Sequence, residues 1–224
     1  MENHKIADSR YKNIRHRSFN QSFDIYYFSL LEQSNELNTI SLENYISFVE
    51  NTSQIEKSRL SEIYRKLFQY SKQNDQIHEL DNKFTVIQLK KDYDEWEANN
   101  LPLIKEMEKH YEEYFKTILP LDKFNEKYGH DEDYEKTCEY CKTKRSEFAK
   151  MIESGQIITK RLYSRGRTLE IDRINPNDDY NMNNIVLCCY WCNNAKTDEF
   201  SYEDFIEIGK EIRKIWEKRL KSNR

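Results

Sequence analysis

Four cysteines in two close pairs constrain the fold of this 224-residue chain more than any other feature. Cys138 and Cys141 enclose two residues, and so do Cys189 and Cys192. This spacing lets both thiolates of a pair bind one ion, and two such pairs predict a tetrahedral zinc site with four cysteine ligands. Core cysteines or a redox pair are the alternatives, but two pairs with only Cys188 in addition favour zinc. A pair formed with position 191 is excluded, because that position is Trp.

The interval between the two pairs is long enough to fold. Cys189 follows Cys141 by 48 positions, which is too many for a simple ribbon. Residues 168–172 and 184–189 predict two strands, and the Asn-, Asp- and Pro-rich residues between them predict a hairpin connection. Residues 193–196 should then lead into a helix.

Residues 138–205, roughly a third of the chain, resemble the HNH endonuclease family, whose core is a β-hairpin followed by a helix around one divalent metal ion. The family pattern runs CxxC, an acidic residue then His, Pro in a loop, Asn opening the second strand, an aliphatic run, a second CxxC, and His or Asn directly after it. A Lys often follows three positions later. The matching residues are Cys138/Cys141, Asp172, Pro176, Asn184, Ile185-Val186-Leu187, Cys189/Cys192, Asn193 and Lys196.

The resemblance implies a role for each matching residue. Asp172 and Asn193 would hold a catalytic Mg²⁺ or Mn²⁺ through hard oxygen atoms, which these ions prefer. That ion would contact the scissile phosphate and neutralise charge on the leaving oxygen. Asn184 would fasten the hairpin loop. Three cations would contact flanking phosphates; these are Arg165, Arg167 and Lys196.

One position departs from the family pattern. The histidine that acts as general base is replaced here by Arg173, and an arginine in a protein stays protonated and accepts no proton. Three alternatives stay open. Arg173 clamps the phosphate or stabilises the transition state while another group or the substrate activates water, as in similar phage-borne relatives that carry Asp-Arg-Ile. A distant histidine such as His130 supplies the base. Otherwise, the module has lost catalysis.

Charge supports nucleic-acid binding only locally. The net charge is −4, which by itself gives no sign of a nucleic-acid partner. From Cys138 to Arg173, however, nine basic residues stand against five acidic ones, a local excess of +4. Such a surface can attract phosphate, although a solvated charged face is the alternative.

The N-terminal half is predicted to be helical. Ser53 and Glu56 form a capping-box pattern before an apolar face over residues 60–68. A longer helix is indicated by apolar residues from 104 to 118, and it should end near Pro120, which cannot continue a helix. The Tyr and Phe residues of this stripe predict core packing, with base stacking as the alternative.

The expected fold class is α+β: a helical domain over residues 1–130, then a small zinc-stabilised ββα-metal (HNH) module with a closing C-terminal helix over residues 131–224. The boundary lies within residues 120–137. Ser201 and Asp204 form the start signal of the closing helix. Zinc should contribute folding free energy, because so small a module has little core of its own.

The resemblance to the HNH endonuclease family implies a metal-dependent endonuclease that hydrolyses phosphodiester bonds, in double-stranded DNA rather than RNA. A phage-related or anti-phage defence role, and a protein partner bound through the N-terminal helices, are further expectations. The alternative is a catalytically impaired, zinc-stabilised module that binds nucleic acid, or a partner subunit of a larger complex. No apolar run approaches about 18 residues and no secretory signal is visible, so a cytoplasmic protein without a membrane span is expected.

Overall fold

The computed structural model describes residues 2–34, 40–51, 86–129, 135–158, 166–176, 178–197 and 199–222. Within these ranges the chain is mixed helical with one two-stranded sheet. In chain order the elements are α1 (Glu2–Ser34), α2 (Leu42–Asn51), α3 (Val86–Asn99), α4 (Leu101–Ile118), α5 (Leu121–Tyr128), α6 (Arg145–Glu153), β1 (Glu170–Arg173), β2 (Ile185–Cys188), α7 (Tyr190–Lys196) and α8 (Tyr202–Lys221).

The chain divides into two compact units. The helical unit comprises Arg15–Thr117, and the hairpin unit comprises Met1–Ile14 together with Ile118–Arg224. The division into functional domains at residues 1–130 and 131–224 stays a prediction. No helix in the part of the chain that the structure describes is both long and apolar enough to cross a membrane.

Aromatic side chains form the core of the helical unit. On α4, Met107, Tyr111 and Phe115 are at most 2% exposed, so the aromatic stripe of this helix packs in the core, as predicted. The Tyr45 ring on α2 is also fully buried. The hydroxyl of Tyr111 is not left unpaired, because it forms a 2.6 Å hydrogen bond with Ser18 Oγ.

The ends of α4 and α8 follow the predicted signals. Helix α4 ends at Ile118, and Pro120 then stands at the N-cap of α5. Helix α8 begins after Ser201, whose side chain accepts a 3.1 Å hydrogen bond from the backbone N–H of Asp204. The helix expected over residues 60–68, with its capping box, lies outside the described residues.

The hairpin positions the residues of interest by its register. Strands β1 and β2 are antiparallel, with Glu170 opposite Cys188 and Asp172 opposite Val186. Both predicted strands are present, with ends within two residues of the expected positions. Because side chains alternate along a strand, Glu170 and Asp172 project from one face and Arg173 from the other.

A small aromatic core supports the hairpin unit. The Phe148 ring of α6 stacks on Trp191 of α7 with ring centroids 4.9 Å apart. Trp216 of α8 closes this group, with its centroid 5.3 Å from that of Trp191. The closing helix therefore packs on α7, the helix that contains Cys192.

Candidate functional site

The structure brings the two cysteine pairs together. The sulfur atoms of Cys138, Cys141, Cys189 and Cys192 all lie within 4.8 Å of one another, and all four residues are buried. The Sγ atoms of Cys141 and Cys189 are 3.9 Å apart. Sulfurs around a tetrahedral zinc ion, with Zn–S bonds of about 2.3 Å, would be separated by about 3.8 Å, so the cluster fits such an ion. It is the one group of three or more His, Cys, Asp or Glu side chains, within the described ranges, that is placed to hold a metal.

Local turns hold each pair in position. The backbone N–H of Lys142 donates to Cys138 O at 2.9 Å, and Lys142 adopts a φ of 53°. In the second pair, the N–H of Cys192 points at Cys189 Sγ at 3.4 Å. Hydrogen bonds from the neighbouring cysteines lower the pKa of Cys141, whereas burial raises the pKa of Cys189.

The fifth cysteine lies outside this cluster. Cys188 is fully buried on β2, opposite Glu170, and burial raises the pKa of its thiol well above the usual value. A buried thiol of this kind is a small apolar core residue and reacts poorly.

Asp172 and Asn193 are directed to the same face of the hairpin. Asn193 on α7 donates from Nδ2 to Glu170 Oε2 at 2.6 Å, and Glu170 shares its face of β1 with Asp172. One helical turn after Asn193, the Lys196 ammonium lies 3.5 Å from Asp172 Oδ2. Helix α7 thus lies over two carboxylates, and a candidate amide ligand and a candidate carboxylate ligand border one polar surface.

Asp172 is held by two partners on the same oxygen. The Tyr140 hydroxyl donates to Asp172 Oδ2 at 2.6 Å, and Lys196 approaches that atom while donating to Arg173 O at 3.0 Å. Burial, followed by the nearby Asp172 charge, raises the pKa of Tyr140, so its hydroxyl stays a donor at neutral pH. Both contacts fall on Oδ2, so among the described residues Oδ1 is the carboxylate oxygen of Asp172 that these two partners do not occupy.

The expected phosphate-binding cations lie in different environments. Lys196 is 1% exposed, so a phosphate contact by its ammonium would require the side chain to leave Arg173 O and Asp172. That contact stays a prediction. Arg167 is exposed, and its carbonyl accepts a hydrogen bond from the Arg145 guanidinium. Arg165 lies outside the described residues.

Asn184 ties the two ends of the hairpin loop together. Its Nδ2 donates to Asn175 O and to Asp179 O, each at 3.0 Å, and its Oδ1 accepts from Asn175 N at 2.8 Å. A side chain that is 7% exposed and uses both amide atoms in this way fixes the loop to the start of β2.

Arg173 also contacts the hairpin loop that Asn184 fastens. Its guanidinium donates to Asp178 O at 3.3 Å and lies over the Tyr180 ring, 4.9 Å from the centroid. The histidines with described side chains, His16 and His110, belong to the helical unit, and His130 lies outside the described residues. Among the residues with described side chains, the hairpin unit therefore contains no histidine that could act as the general base.

Two residues of this surface were not predicted as site residues. Glu170 stands two positions before Asp172, so strand alternation alone places it on the same face. Tyr140 lies inside the first CxxC, but its hydrogen bond to Asp172 joins residues 32 positions apart, and no local pattern indicates such a pairing.

Comparison with known proteins gives a limited result. No protein-family model and no curated protein matches the chain. Among solved structures, the chain is similar to the rare-cutting HNH restriction endonuclease PacI, at 27% sequence identity and a TM-score of 0.38. The match covers 45% of this chain and 66% of that chain, so this protein spans just under two thirds of PacI's length.

Proposed function

We propose that this protein is a metal-dependent HNH-type endonuclease that hydrolyses phosphodiester bonds, with DNA rather than RNA as its substrate. One observation carries the proposal. Asn193 contacts Glu170, and Glu170 shares a strand face with Asp172, so an amide and a carboxylate from separate elements border one surface. The four-cysteine cluster beside this hairpin supports the proposal, because a small ββα module needs such a staple.

The donor set suits a hard divalent ion. Asp172 offers Oδ1, and Asn193, which donates to Glu170 from Nδ2, keeps Oδ1 as an acceptor. Oxygen ligands of this kind fit Mg²⁺ or Mn²⁺, whereas the four thiolates fit zinc. When bound, the divalent ion supplies charge neutralisation at the phosphate and at the leaving oxygen. In the reaction, a water oxygen bonds to phosphorus, the bond to the leaving nucleotide oxygen breaks, and that oxygen takes up a proton.

Arg173 stands where the HNH family has its general-base histidine, so another group must accept the proton of the attacking water. Arg173 accepts no proton, and its side chain contacts Asp178 and Tyr180 in the hairpin loop, so it helps to hold that loop in place. We therefore propose that another group or the substrate phosphate accepts the water proton, and that Arg173 holds the loop against the phosphate. The same observation favours a second candidate function, a zinc-stabilised module that binds nucleic acid without cutting it.

Plasmid cleavage separates the two functions. Purified, zinc-loaded protein is incubated with supercoiled plasmid and Mg²⁺ or Mn²⁺, beside an Asp172→Ala variant of equal zinc content. The nuclease proposal expects cutting by the parent and its loss in the variant. An Asp172→Ala variant that cuts as fast as the parent refutes it. Salt-sensitive DNA binding with no metal-dependent cutting would instead support the binding module. A structured RNA of similar charge tests the preference for DNA.

The helical residues 1–130 are proposed to position a partner protein or the substrate, as in a multi-subunit or anti-phage defence system. Support for this is the absence of a recognisable DNA-reading motif in the sequence of this half. Light scattering and affinity pull-down test it. A strictly monomeric protein from which no partner is recovered would count against this role.

A further inference from the structure

The first cysteine pair and the two residues between them, here called the knuckle (residues 138–141), are hydrogen-bonded to the hairpin that carries the proposed site. Cys138 and Cys141 enclose Glu139 and Tyr140, and the backbone N–H of Glu139 donates to Leu187 O on β2 at 2.8 Å. The knuckle therefore continues the hydrogen bonding of the sheet. A metal ion bound by these cysteines would fix the position of Tyr140 relative to both strands.

The Tyr140 ring is buried and packs against side chains of α8. It is 1% exposed, and the Phe205 ring of α8 meets it edge to face with centroids 5.0 Å apart. The Tyr202 ring lies at 6.1 Å. Helix α8 approaches the backbone here as well: a Cβ on Gly209 would stand 2.5 Å from Tyr140 O. Such packing leaves the ring little freedom, so its hydroxyl points to a fixed place.

That place is the carboxylate of Asp172. The 2.6 Å hydrogen bond from Tyr140 to Oδ2 is short and charge-assisted, which makes it one of the stronger kinds of side-chain contact. The Lys196 ammonium lies 3.5 Å from Oδ2 and 6.0 Å from the centroid of the Tyr140 ring. Both partners thus act on one oxygen and orient the other.

We infer that Tyr140 is a positioning residue for the proposed reaction, coupling the cysteine cluster to the metal-binding carboxylate of Asp172. By holding Oδ2, its hydroxyl turns Oδ1 toward the ion. The zinc site would then do more than keep the module folded, because it would also set the affinity of the second metal site. This inference rests on the proposed function, since it takes Asp172 as a metal ligand.

The test removes one hydroxyl and keeps the ring. Tyr140→Phe preserves the packing against Phe205 while deleting the contact with Asp172. Tyr202→Phe is a matched control, because Tyr202 also donates a 2.6 Å hydrogen bond to a carboxylate, that of Glu139, in the same knuckle. For each zinc-loaded protein, zinc content, melting temperature and Mn²⁺ affinity are measured. Electron paramagnetic resonance of free Mn²⁺ reads the affinity without cleavage, and the site is defined as the one lost in Asp172→Asn.

The expected result is a Mn²⁺ dissociation constant about ten-fold higher in Tyr140→Phe, with the zinc content of the parent and a melting temperature lower by about 3–12 °C because one charge-assisted hydrogen bond is lost. Tyr202→Phe should bind Mn²⁺ like the parent. Equal affinity in the two phenylalanine variants, loss of zinc from Tyr140→Phe, or a parent without Asp172-dependent Mn²⁺ binding would each overturn the inference. A parent that binds Mn²⁺ in this way but cuts no nucleic acid would refute the nuclease proposal and leave the Tyr140 comparison decisive.

Discussion

Replacing Asn184 with alanine removes the side chain that fastens the hairpin loop. The change deletes three hydrogen bonds, to Asn175 N, Asn175 O and Asp179 O. At a net value of about 1 kcal/mol for each bond, the expected loss of unfolding free energy is about 3 kcal/mol. For a chain of this size, that corresponds to a melting temperature lower by about 6–12 °C. Cleavage should fall too, because the loop carries the partners of Arg173.

Thermal and urea denaturation of the zinc-loaded protein measure this change. Asn183→Ala is the matched control. The Asn183 side chain is exposed, so its removal should lower the unfolding free energy by less than about 0.5 kcal/mol. Asn184→Asp adds a second comparison. It keeps the volume and the acceptor of asparagine but loses both donations from Nδ2, so it should be nearly as destabilised as the alanine variant.

Two outcomes would refute this reasoning. Asn184→Ala and Asn183→Ala could melt within about 1 °C of each other, which would mean that the loop does not depend on the Asn184 amide. Alternatively, Asn184→Asp could match the parent, which would show that the two donated hydrogen bonds contribute little.

Three further predictions concern other parts of the molecule. Gly209→Ala should lower stability by about 1–3 kcal/mol in chemical denaturation, because its Cβ would meet Tyr140 O at 2.5 Å; a stabilised variant, as helix propensity alone predicts, would contradict the packing. Burial raises the pKa of Asp24 from 3.8 to about 6, so the Asp24 carboxyl holds its proton more tightly in the folded chain than in the unfolded chain. The unfolding free energy should therefore fall as the pH rises from about 4 to 6. Asp24→Asn should flatten that pH profile and add about 3 kcal/mol at pH 7, and an unchanged profile would contradict the raised pKa of Asp24. Glu170→Gln keeps an oxygen for Asn193, so metal-dependent cleavage should stay within about ten-fold of the parent. A loss of about 10²-fold or more would show that the reaction needs the charge of the Glu170 carboxylate.

The features predicted correctly from the sequence depend on local spacing. Two residues between cysteines let both thiols of a pair face one point, and the structure gathers the two pairs. Pro120 and Ser201 act through their own backbone and side-chain chemistry, so both mark helix ends where they were expected. The hairpin followed from turn-rich residues between two short β-rich segments.

The parts that were not predicted depend on tertiary packing. Lys196 matched a position expected to contact phosphate, yet its ammonium is buried and donates to Arg173 O, because α7 packs against β1. Helix α7 also begins at Tyr190, inside the second cysteine pair rather than after it. The hydrogen bond between Tyr140 and Asp172 likewise arises only once α8 and the knuckle pack together. Sequence periodicity carries no information about such distant pairings.

Zinc content of matched cysteine variants tests the central claim, that four thiolates around one ion build the site. The parent, Cys189→Ser and Cys188→Ala are purified alike, and zinc is measured by atomic emission alongside near-ultraviolet circular dichroism. Our account predicts one zinc per chain in the parent and in Cys188→Ala, because Cys188 lies outside the cluster. Cys189→Ser should retain less zinc and lose the aromatic signal of Trp191 and Trp216. A parent without zinc, or a Cys189→Ser variant with full zinc and unchanged dichroism, would contradict the account.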